Sequence, residues 1–310
     1  AAIILCAGKG TRMCSELPKV LHKLAGRPML SHLLDTLSKI CLAQTTIVIG
    51  ENMSAVADIA QPHPAVVQSR QLGTGHAVLA AREILADRDI DFFGDVIVFF
   101  GADPLIKADT ITQLIKVRRT SPNPSIVVLG FEALDPGAYG RLILNKDGSL
   151  DKIVEANDAT EEQLNISLCN SGVMLIDGKH LWSLLERIRA ANTKGEYYLT
   201  DIVSLARDDG LKTSVVFGEE EELLGIDDRI DLACAEDQLQ TQLRLAAMQG
   251  GATLINPESI FFSYDTKIGH DVNIGPNVVF GPGVTIGNNV TILSFCHIEG
   301  TNIADGARIG

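Results

Sequence analysis

Short apolar runs and helix-spaced apolar positions alternate along the first two thirds of the chain. Apolar runs predict strands at residues 2–5, 45–49, 65–68, 96–100 and 125–129, and the helical spacing predicts helices at 30–37, 54–60, 75–85 and 108–117. Because strands alternate with helices, we predict an α/β layer fold with a mainly parallel sheet. Such sheets bind ligands beyond the carboxyl ends of their strands, so polar residues there are the candidates for a site.

The pattern changes after residue 250. An apolar residue recurs every six positions, and a step of five then leads to the last two members of the series: Ile268, Ile274, Phe280, Ile286, Ile292, Ile298, Ile303 and Ile309. A hexapeptide repeat of this kind is typical of a parallel β-helix, in which three hexapeptides form one coil. Residues 229–248 are polar with one apolar face and predict a linker helix that ends at 250–251.

Length and charge limit the classes of protein. With 310 residues the chain is long enough for two domains, and its net charge of −13 argues against nucleic acid or an anionic membrane as a partner. No apolar run has transmembrane length, and the first residues lack the pattern of a signal peptide. The six cysteines show no metal-ligand spacing and indicate reduced thiols. We therefore expect a cytoplasmic protein.

A glycine-rich turn ends the first predicted strand. Residues 8–12 read Gly-Lys-Gly-Thr-Arg, and a second cation follows at Lys19. Glycines let backbone amides approach an anion closely, and the Arg12 fork and the Lys19 ammonium suit two phosphoryl positions. The turn is neither a P-loop nor a dinucleotide loop, because Met13 occupies the place of the third glycine. Alone, it fits a plain strand-to-helix turn beside two surface cations equally well.

The longer string around this turn carries a family resemblance. The pattern L-x-A-G-x-G-T-R-M, followed by P-K-V-L and G-x-P-M, resembles the signature of sugar-1-phosphate nucleotidylyltransferases. The wording L-P-K-V-L-H-x-L-A-G-x-P-M is similar to bifunctional bacterial enzymes that join an N-acetylglucosamine-1-phosphate uridyltransferase to a glucosamine-1-phosphate acetyltransferase. The resemblance implies a Rossmann-like nucleotidyltransferase domain at 1–228, a linker helix at 229–250 and the start of a left-handed β-helix at 251–310.

The resemblance also implies a reaction. UTP and N-acetylglucosamine 1-phosphate would give pyrophosphate and UDP-N-acetylglucosamine, a precursor of peptidoglycan and lipopolysaccharide, with Mg²⁺ as cofactor. The sugar phosphate would displace pyrophosphate directly, so that alignment and charge neutralisation are the protein's task. Arg12 and Lys19 would act on the phosphates as catalytic residues. The substrate would also bind along the strand end and turn, at Leu5, Cys6, Ala7, Gly8 and Lys19.

The string from Gln68 to Ala77 follows the third predicted strand. A glutamine amide can read a pyrimidine edge because it offers both a donor and an acceptor. The resemblance implies that Gln68 and the Gly73 backbone contact uracil, and that Gln71 and Thr74 lie near the ribose and sugar. Alternatively, this is a polar loop with Thr74 as the N-cap of the next helix. We expect His76, in the first turn of that helix, to be structural.

Two carboxylates are the candidate metal ligands. Asp103 follows a predicted strand, where it can hold Mg²⁺. The family usually has one residue between this aspartate and a proline, whereas here Asp103 abuts Pro104. Asp227 stands where the family usually has asparagine, and its carboxylate keeps a coordinating oxygen. The alternative is that Asp227 or Asp228 caps the helix that follows.

A third group of candidates belongs to the sugar. The family pattern places Gly140, Glu155 and Asn170 on the N-acetylglucosamine moiety, although singly they fit a turn, a surface acid and an edge-strand residue. The aromatic residues at 195–201 would wall the acetamido pocket or pack against the following helix.

The resemblance sets one expectation about acetyl transfer. In the family that site lies in later β-helix coils and between subunits, so this chain, which stops within a repeat at Gly310, is expected to lack it. A homo-oligomer, a trimer built through the β-helix, is expected of the full-length parent. Two other functions stay open: the same fold acting on another nucleotide or sugar 1-phosphate, and a non-catalytic nucleotide-sugar sensor, for which the changes at Asp103 and Asp227 are the support.

Overall fold

The computed structural model describes residues 1–86 and 94–310, which divide into two compact units. The first unit comprises Ala1–Leu21 and Leu30–Asp227, and the second comprises His22–Met29 and Asp228–Gly310. Within these described ranges, no helix combines the length and the apolar character needed to cross a membrane.

The elements are numbered in chain order. The strands up to residue 217 are β1 Ala2–Leu5, β2 Lys23–Leu24, β3 Arg27–Pro28, β4 Thr45–Gly50, β5 Ala65–Gln68, β6 Asp95–Phe100, β7 Ile126–Glu132, β8 Arg141–Leu144, β9 Leu150–Val154, β10 Leu168–Asp177 and β11 Thr213–Phe217. The helices are α1 Met29–Ser38, α2 Ser54–Ile59, α3 Thr74–Ala80, α4 Arg82–Ala86, α5 Ala108–Arg119, α6 Glu161–Leu164, α7 Gly178–Leu185, α8 Asp201–Asp208, α9 Glu220–Leu223 and α10 Arg229–Gln249.

The main sheet of the first unit has the order β11-β7-β10-β6-β1-β4-β5, and the β8–β9 hairpin attaches to β10. Its neighbours run parallel except at β10, which is antiparallel to both β6 and β7. The predicted mainly parallel α/β sheet is therefore confirmed. Along β1, Ala2 and Ile4 join one buried apolar cluster while Ile3 and Leu5 join the other. Helices cover both faces, which explains why this strand is apolar at every position.

The predicted helix at 75–85 is two helices in the structure. It begins one residue earlier, at Thr74, and is interrupted at Ala81, whose amide donates to the carbonyl of Val78 instead of continuing the α-helical ladder. Gly73, with φ +115°, occupies the N-cap position that the alternative interpretation of this loop gave to Thr74. That alternative is therefore wrong about the cap, and the Thr74 hydroxyl makes another contact described below.

The second unit contains α10 and the repeat region. Asp228 caps α10 by accepting hydrogen bonds from the amides of Ile230 and Asp231, while the Asp231 side chain accepts from the Asp228 amide. Two-residue strands follow at β12 Thr253–Leu254, β13 Lys267–Ile268, β14 Asn273–Ile274, β15 Val279–Phe280, β16 Thr285–Ile286, β17 Thr291–Ile292, β18 His297–Ile298, β19 Asn302–Ile303 and β20 Arg308–Ile309. They stack in parallel on strands one coil away, with apolar side chains inward, which confirms the hexapeptide prediction.

Candidate active site

Two neighbouring cavities open in the first unit where strands of the main sheet end. The first cavity has a volume of about 420 Å³ and lies beyond β1 and β5. The second has a volume of about 370 Å³ and extends towards β10 and the hairpin β8–β9. Lys19, Thr74, Phe100 and Asp227 line both cavities, so the two share a wall.

The structure places every site residue predicted from the sequence on one or both of these cavities. The first cavity is lined by Leu5, Cys6, Ala7, Gly8, Lys19, Gln68, Gln71, Gly73, Thr74 and Asp227. The second is lined by Arg12, Lys19, Thr74, Asp103, Gly140, Glu155, Asn170 and Asp227. Residues that are far apart in the chain thus meet at one edge of the sheet, as expected for a parallel α/β fold.

Of the two glycines in the turn, the fold itself requires one but not the other. Gly10 has φ +59°, and a Cβ there would lie 2.8 Å from the Cβ of Lys19, so its own fold requires it. A Cβ at Gly8 would meet nothing within 4 Å. The chain itself would therefore accept a side chain at Gly8, which borders the first cavity.

Asp227 holds the two cations of the turn region together. One of its oxygens lies 2.7 Å from the Arg12 guanidinium and the other 2.8 Å from the Lys19 ammonium. Burial opposes ionisation of Asp227, but Lys19 and Arg12 outweigh it and hold the pKa of the carboxyl below its ordinary value. Asp227 is thus an ionised carboxylate between two cations on the shared wall of the cavities, whereas the neighbouring Asp228 caps α10.

Asp103 is the buried carboxylate of the second cavity. Burial raises the pKa of Asp103 to about 7, although the charge of Lys19 counteracts part of that rise. Its Oδ2 is buried and makes no hydrogen bond in the part of the chain that the structure describes. A buried carboxylate oxygen needs a partner, and Mg²⁺ is commonly held by one or two carboxylates together with phosphates and water. Asp103 and Asp227 therefore fit a divalent cation, despite the shift of Asp103 next to Pro104.

Among the described residues, no larger cluster of metal-ligating side chains accompanies this pair. Over residues 1–86 and 94–310, His, Cys, Asp and Glu side chains nowhere gather in a group of three or more that could hold a metal ion.

The loop between β5 and α3 closes the first cavity through side-chain amides. Gln68 is buried and its Nε2 donates to the carbonyl of Gly73 at 3.1 Å, and Nε2 also lies 3.0 Å from Nδ1 of His76. Gln71 donates from its Nε2 to the carbonyl of Ala7, at the start of the glycine turn. The Thr74 hydroxyl accepts from the Leu199 amide at 2.8 Å. These bonds fix the loop against both β1 and the segment before α8.

The sugar candidates meet around Glu155. One oxygen of Glu155 accepts a hydrogen bond from the Thr200 hydroxyl at 3.1 Å, and the carbonyl of Gly140 accepts from the Asn170 amide at 2.8 Å. Burial raises the pKa of Glu155, and the hydrogen bond from Thr200 and the charge of Lys194 counteract part of that rise. Sequence reasoning missed Thr200, because a single threonine before a helix indicates only a cap.

Arg141 is a second residue that sequence reasoning missed. Its side chain is almost fully buried, with 2% of the residue exposed. The guanidinium donates to the backbone carbonyls of Pro136, Gly137, Tyr139 and Leu164. It thereby orders the loop that presents Gly140, and the Tyr139 hydroxyl in that loop accepts from the Gly225 amide at 3.2 Å. Arg141 thus supports the walls of the second cavity from behind.

We expect Arg141→Met to lower the free energy of unfolding by about 3 kcal/mol, because methionine fills part of the buried volume but donates none of the hydrogen bonds that Arg141 makes to four carbonyls. Urea denaturation would measure the change. Arg189→Met is the control, since Arg189 is exposed and its replacement should stay within about 0.5 kcal/mol of the parent. Equal stabilities of the two variants would contradict the anchoring role of Arg141.

Comparison with protein families gives two matches along the chain. The MobA-like NTP transferase domain matches residues 2–166, and the bacterial transferase hexapeptide (six repeats) matches residues 265–300. Among curated relatives, the bifunctional protein GlmU of Paramagnetospirillum magneticum is 54% identical over 310 residues, covering 100% of this chain and 68% of the relative. That of Rhodospirillum rubrum is 54% identical over 304 residues, covering 98% of this chain and 67% of the relative.

Comparison with solved structures gives the fold alone. UDP-glucose pyrophosphorylase complexed with UDP-glucose superposes with a TM-score of 0.63 at 16% identity, covering 78% of this chain and 98% of that one. The inositol-1-phosphate CTP transferase from T. maritima has a TM-score of 0.57 at 18% identity, covering 77% of this chain and 94% of that one.

Proposed function

The chain belongs to the family of bifunctional GlmU proteins and is a sugar-1-phosphate nucleotidyltransferase, and from this premise we propose its substrates. We propose that it transfers the uridylyl group of UTP to N-acetylglucosamine 1-phosphate, giving UDP-N-acetylglucosamine and pyrophosphate. The reaction would need a divalent cation, Mg²⁺.

One observation carries this proposal. The two cavities meet at a wall that holds Lys19 and Asp227, with Arg12 bound to the same carboxylate. A nucleoside triphosphate with its base in the first cavity and a sugar phosphate in the second would bring their phosphates together at this wall. Arg12 and Lys19 would supply the positive charge that offsets the repulsion between these phosphates.

The proposed chemistry is a direct displacement. An oxygen of the sugar phosphate forms a bond to the α-phosphorus of UTP, and the bond from that phosphorus to the bridging oxygen of the β-phosphate breaks, so pyrophosphate leaves. Arg12 would steady the departing pyrophosphate and Lys19 the phosphates near the attack. No covalent intermediate on the protein is invoked, and burial raises the pKa of the nearby Cys6 thiol to about 12, so that thiol is neutral.

Asp103 and Asp227 would hold the divalent cation. When bound there, the ion would supply positive charge to the phosphates during the displacement. The buried Oδ2 of Asp103, which has no hydrogen-bond partner among the described residues, supports this assignment. The charge of Asp227, in place of the asparagine usual in the family, would strengthen the cation site while keeping Arg12 and Lys19 beside it.

The assay that tests the proposal measures pyrophosphate release from UTP and N-acetylglucosamine 1-phosphate, with and without Mg²⁺. Parallel reactions with CTP, dTTP and GTP, and with glucose 1-phosphate, compare the substrates. We expect release that depends on the metal and is fastest with the proposed pair. Faster turnover of another pair would support the same fold with other substrates, and no release with any pair would support a nucleotide-sugar sensor.

Replacing Gly8 tests the phosphate turn without disturbing the fold. We expect Gly8→Ala to keep its melting temperature, because the added methyl group meets nothing within 4 Å. The affinity for UTP, measured by titration calorimetry, should fall about tenfold because the methyl group holds a phosphate away from the amides. Gly10→Ala should instead lower the melting temperature. Unchanged UTP affinity in Gly8→Ala would contradict the role of the turn.

We also propose which part of the chain carries out each function. Nucleotidyl transfer would belong to residues 1–228, with 229–250 as linker and 251–310 as the β-helix part. Acetylation of glucosamine 1-phosphate would belong to the β-helix of the full-length parent, and assembly into an oligomer would occur through that β-helix. Measuring the oligomeric state of the chain with and without residues after 250 would test the last point.

A further inference from the structure

We propose that His76 is a positioning residue that makes the first cavity prefer uracil over cytosine, by fixing the direction of the Gln68 side-chain amide. The inference rests on the proposed uridylyl transfer and assigns part of its base selectivity to a residue expected to be merely structural. It starts from two contacts of one nitrogen atom.

The Nε2 atom of Gln68 lies between two polar atoms. It is 3.1 Å from the carbonyl oxygen of Gly73 and 3.0 Å from Nδ1 of His76. A backbone carbonyl can only accept a hydrogen bond, so the atom that faces it must be the NH₂ group and not the oxygen of the amide. The identity of the two amide atoms of Gln68 therefore follows from the chemistry of its neighbour.

The same contacts define the state of His76. An NH₂ group carries two hydrogens, and one is taken by the carbonyl of Gly73. The other can go to His76 only if Nδ1 is the unprotonated nitrogen of a neutral ring, with the proton on Nε2. Both hydrogens of Gln68 are then used. The amide oxygen, Oε1, is the group of this buried side chain that remains for a ligand in the first cavity.

Gly73 supplies the complementary group. Its carbonyl accepts from both Gln68 and the Ala77 amide, the latter at 3.1 Å, so the carbonyl belongs to the start of α3. Its own amide makes no hydrogen bond among those the structure describes. The backbone is also held in place, because Gly73 has φ +115° and a Cβ there would lie 2.6 Å from the carbonyl of Tyr197. The loop thus offers one acceptor and one donor to a base.

This pair of groups discriminates between pyrimidines. Uracil presents an N3–H donor next to the O4 acceptor, which match the Gln68 oxygen and the Gly73 amide. Cytosine presents a lone pair at N3 next to an amino group, so the same orientation sets acceptor against acceptor and donor against donor. Thymine has the uracil edge and is not distinguished. Rotation of the Gln68 amide by half a turn would turn its NH₂ towards N3, where it would match cytosine instead of uracil, while the Gly73 amide would still oppose the cytosine amino group.

His76 is one of two groups that oppose this rotation. A rotated amide would bring its oxygen against the Gly73 carbonyl and would lose the hydrogen bond to His76. Without an acceptor at position 76, only the Gly73 carbonyl would select the direction of the amide. One neutral hydrogen bond is worth about fivefold in an equilibrium constant, so we expect the preference for UTP over CTP to fall about fivefold.

Two variants separate this role from simple packing. His76→Phe keeps a flat ring of similar size but has no acceptor. His76→Asn is smaller, but its Oδ1 is an acceptor bonded to Cγ, as Nδ1 is in histidine. If His76 only filled space, phenylalanine would be the better substitute, whereas the proposal requires asparagine to be the better one.

The experiment measures kcat/KM for UTP and CTP with N-acetylglucosamine 1-phosphate in the parent and both variants, together with their melting temperatures. We expect His76→Phe to lose about fivefold in the UTP-to-CTP ratio, mainly through a lower KM for CTP because the rotated amide becomes more populated, and His76→Asn to keep most of the ratio. An unchanged ratio in His76→Phe, or equal losses in both variants, would overturn the inference.

Calorimetric titration of UTP and CTP gives the same ratio without catalysis. A parent that binds UTP in preference to CTP but does not turn over would overturn uridylyl transfer and still allow the test of His76. A parent that turns over UTP, with variants of unchanged ratio, would overturn the role of His76 alone.

Discussion

Arg12→Ala should reduce turnover about 100-fold, the usual effect of removing one preorganised charge from a reacting group. The affinity for UTP should change much less, by about threefold, because an exposed charge contributes little to ground-state binding. The Arg12 side chain is 64% exposed, lines the second cavity and contacts Asp227. In the proposed reaction its guanidinium would meet the departing pyrophosphate, and it does not line the first cavity. Steady-state kinetics and calorimetry of UTP would give the two values.

The matched control is Arg70→Ala. Arg70 is exposed and lies two residues after Gln68. Replacing it with alanine removes the same charge from the same edge of the sheet. Its replacement should leave turnover within about twofold of the parent at physiological ionic strength, since Arg70 lines neither cavity and an exposed charge is screened. Equal losses of UTP affinity and turnover in Arg12→Ala would mean that Arg12 also holds UTP in the ground state, which would contradict the proposed role in the displacement alone.

The sheet of the first unit was predictable because its strands are buried on both faces. The run Ala2–Leu5 is apolar throughout, and its side chains alternate between two cores. The same reasoning held for the hexapeptide region, where one inward apolar residue per unit is a direct consequence of the coil. In both cases the pattern along the chain is set by which side chains must leave water.

The supporting residues of the site were not predictable in this way. Arg141 is a cation, and a cation in a sequence indicates a solvated surface position. Its partners are backbone carbonyls, among them that of Leu164 in a later segment, and carbonyls leave no side-chain signature. Thr200 and its bond to Glu155 join segments far apart in the chain. Contacts of this kind depend on how the chain folds back on itself.

The loop before α3 shows an intermediate case. Its string of polar residues was a good indicator of a binding loop, but the local role of each residue was not. The alternative interpretation made Thr74 the N-cap, yet Gly73 takes that position with a positive φ, and the Thr74 hydroxyl accepts from the Leu199 amide. The contact between Gln68 and His76 spans one strand end and one helix start, so neither element alone reveals it.

Asp103 illustrates a limit of motif comparison. The missing residue before Pro104 could turn the carboxylate away from the cavity, or a local change of the backbone could compensate for it. In the structure the Asp103 amide donates to the carbonyl of Phe100, forming a turn directly after β6. That turn keeps the carboxyl on the second cavity together with Asp227.

Asp103→Asn should lower metal-dependent turnover by about 100-fold or more, because asparagine keeps the shape of aspartate but removes the charge that would hold the cation. The variant should fold, since a neutral amide costs less to bury than a carboxylate. A second measurement does not depend on catalysis. In the presence of UDP-N-acetylglucosamine, Mg²⁺ should raise the melting temperature of the parent, because a ligand that binds only the folded state stabilises it.

That shift should be absent in Asp103→Asn and retained in Asp58→Asn, a control that removes an exposed carboxylate from α2. If Asp103→Asn kept the shift and the activity, Asp103 would not be a metal ligand, and Asp227 would have to hold the ion with substrate phosphates alone. If it lost the activity but kept the shift, Asp103 would act on the substrates and not on the metal. The two measurements together therefore show whether Oδ2 of Asp103 acts on the metal or on the substrates. It is the one buried carboxyl oxygen of this site that lacks a partner among the described residues.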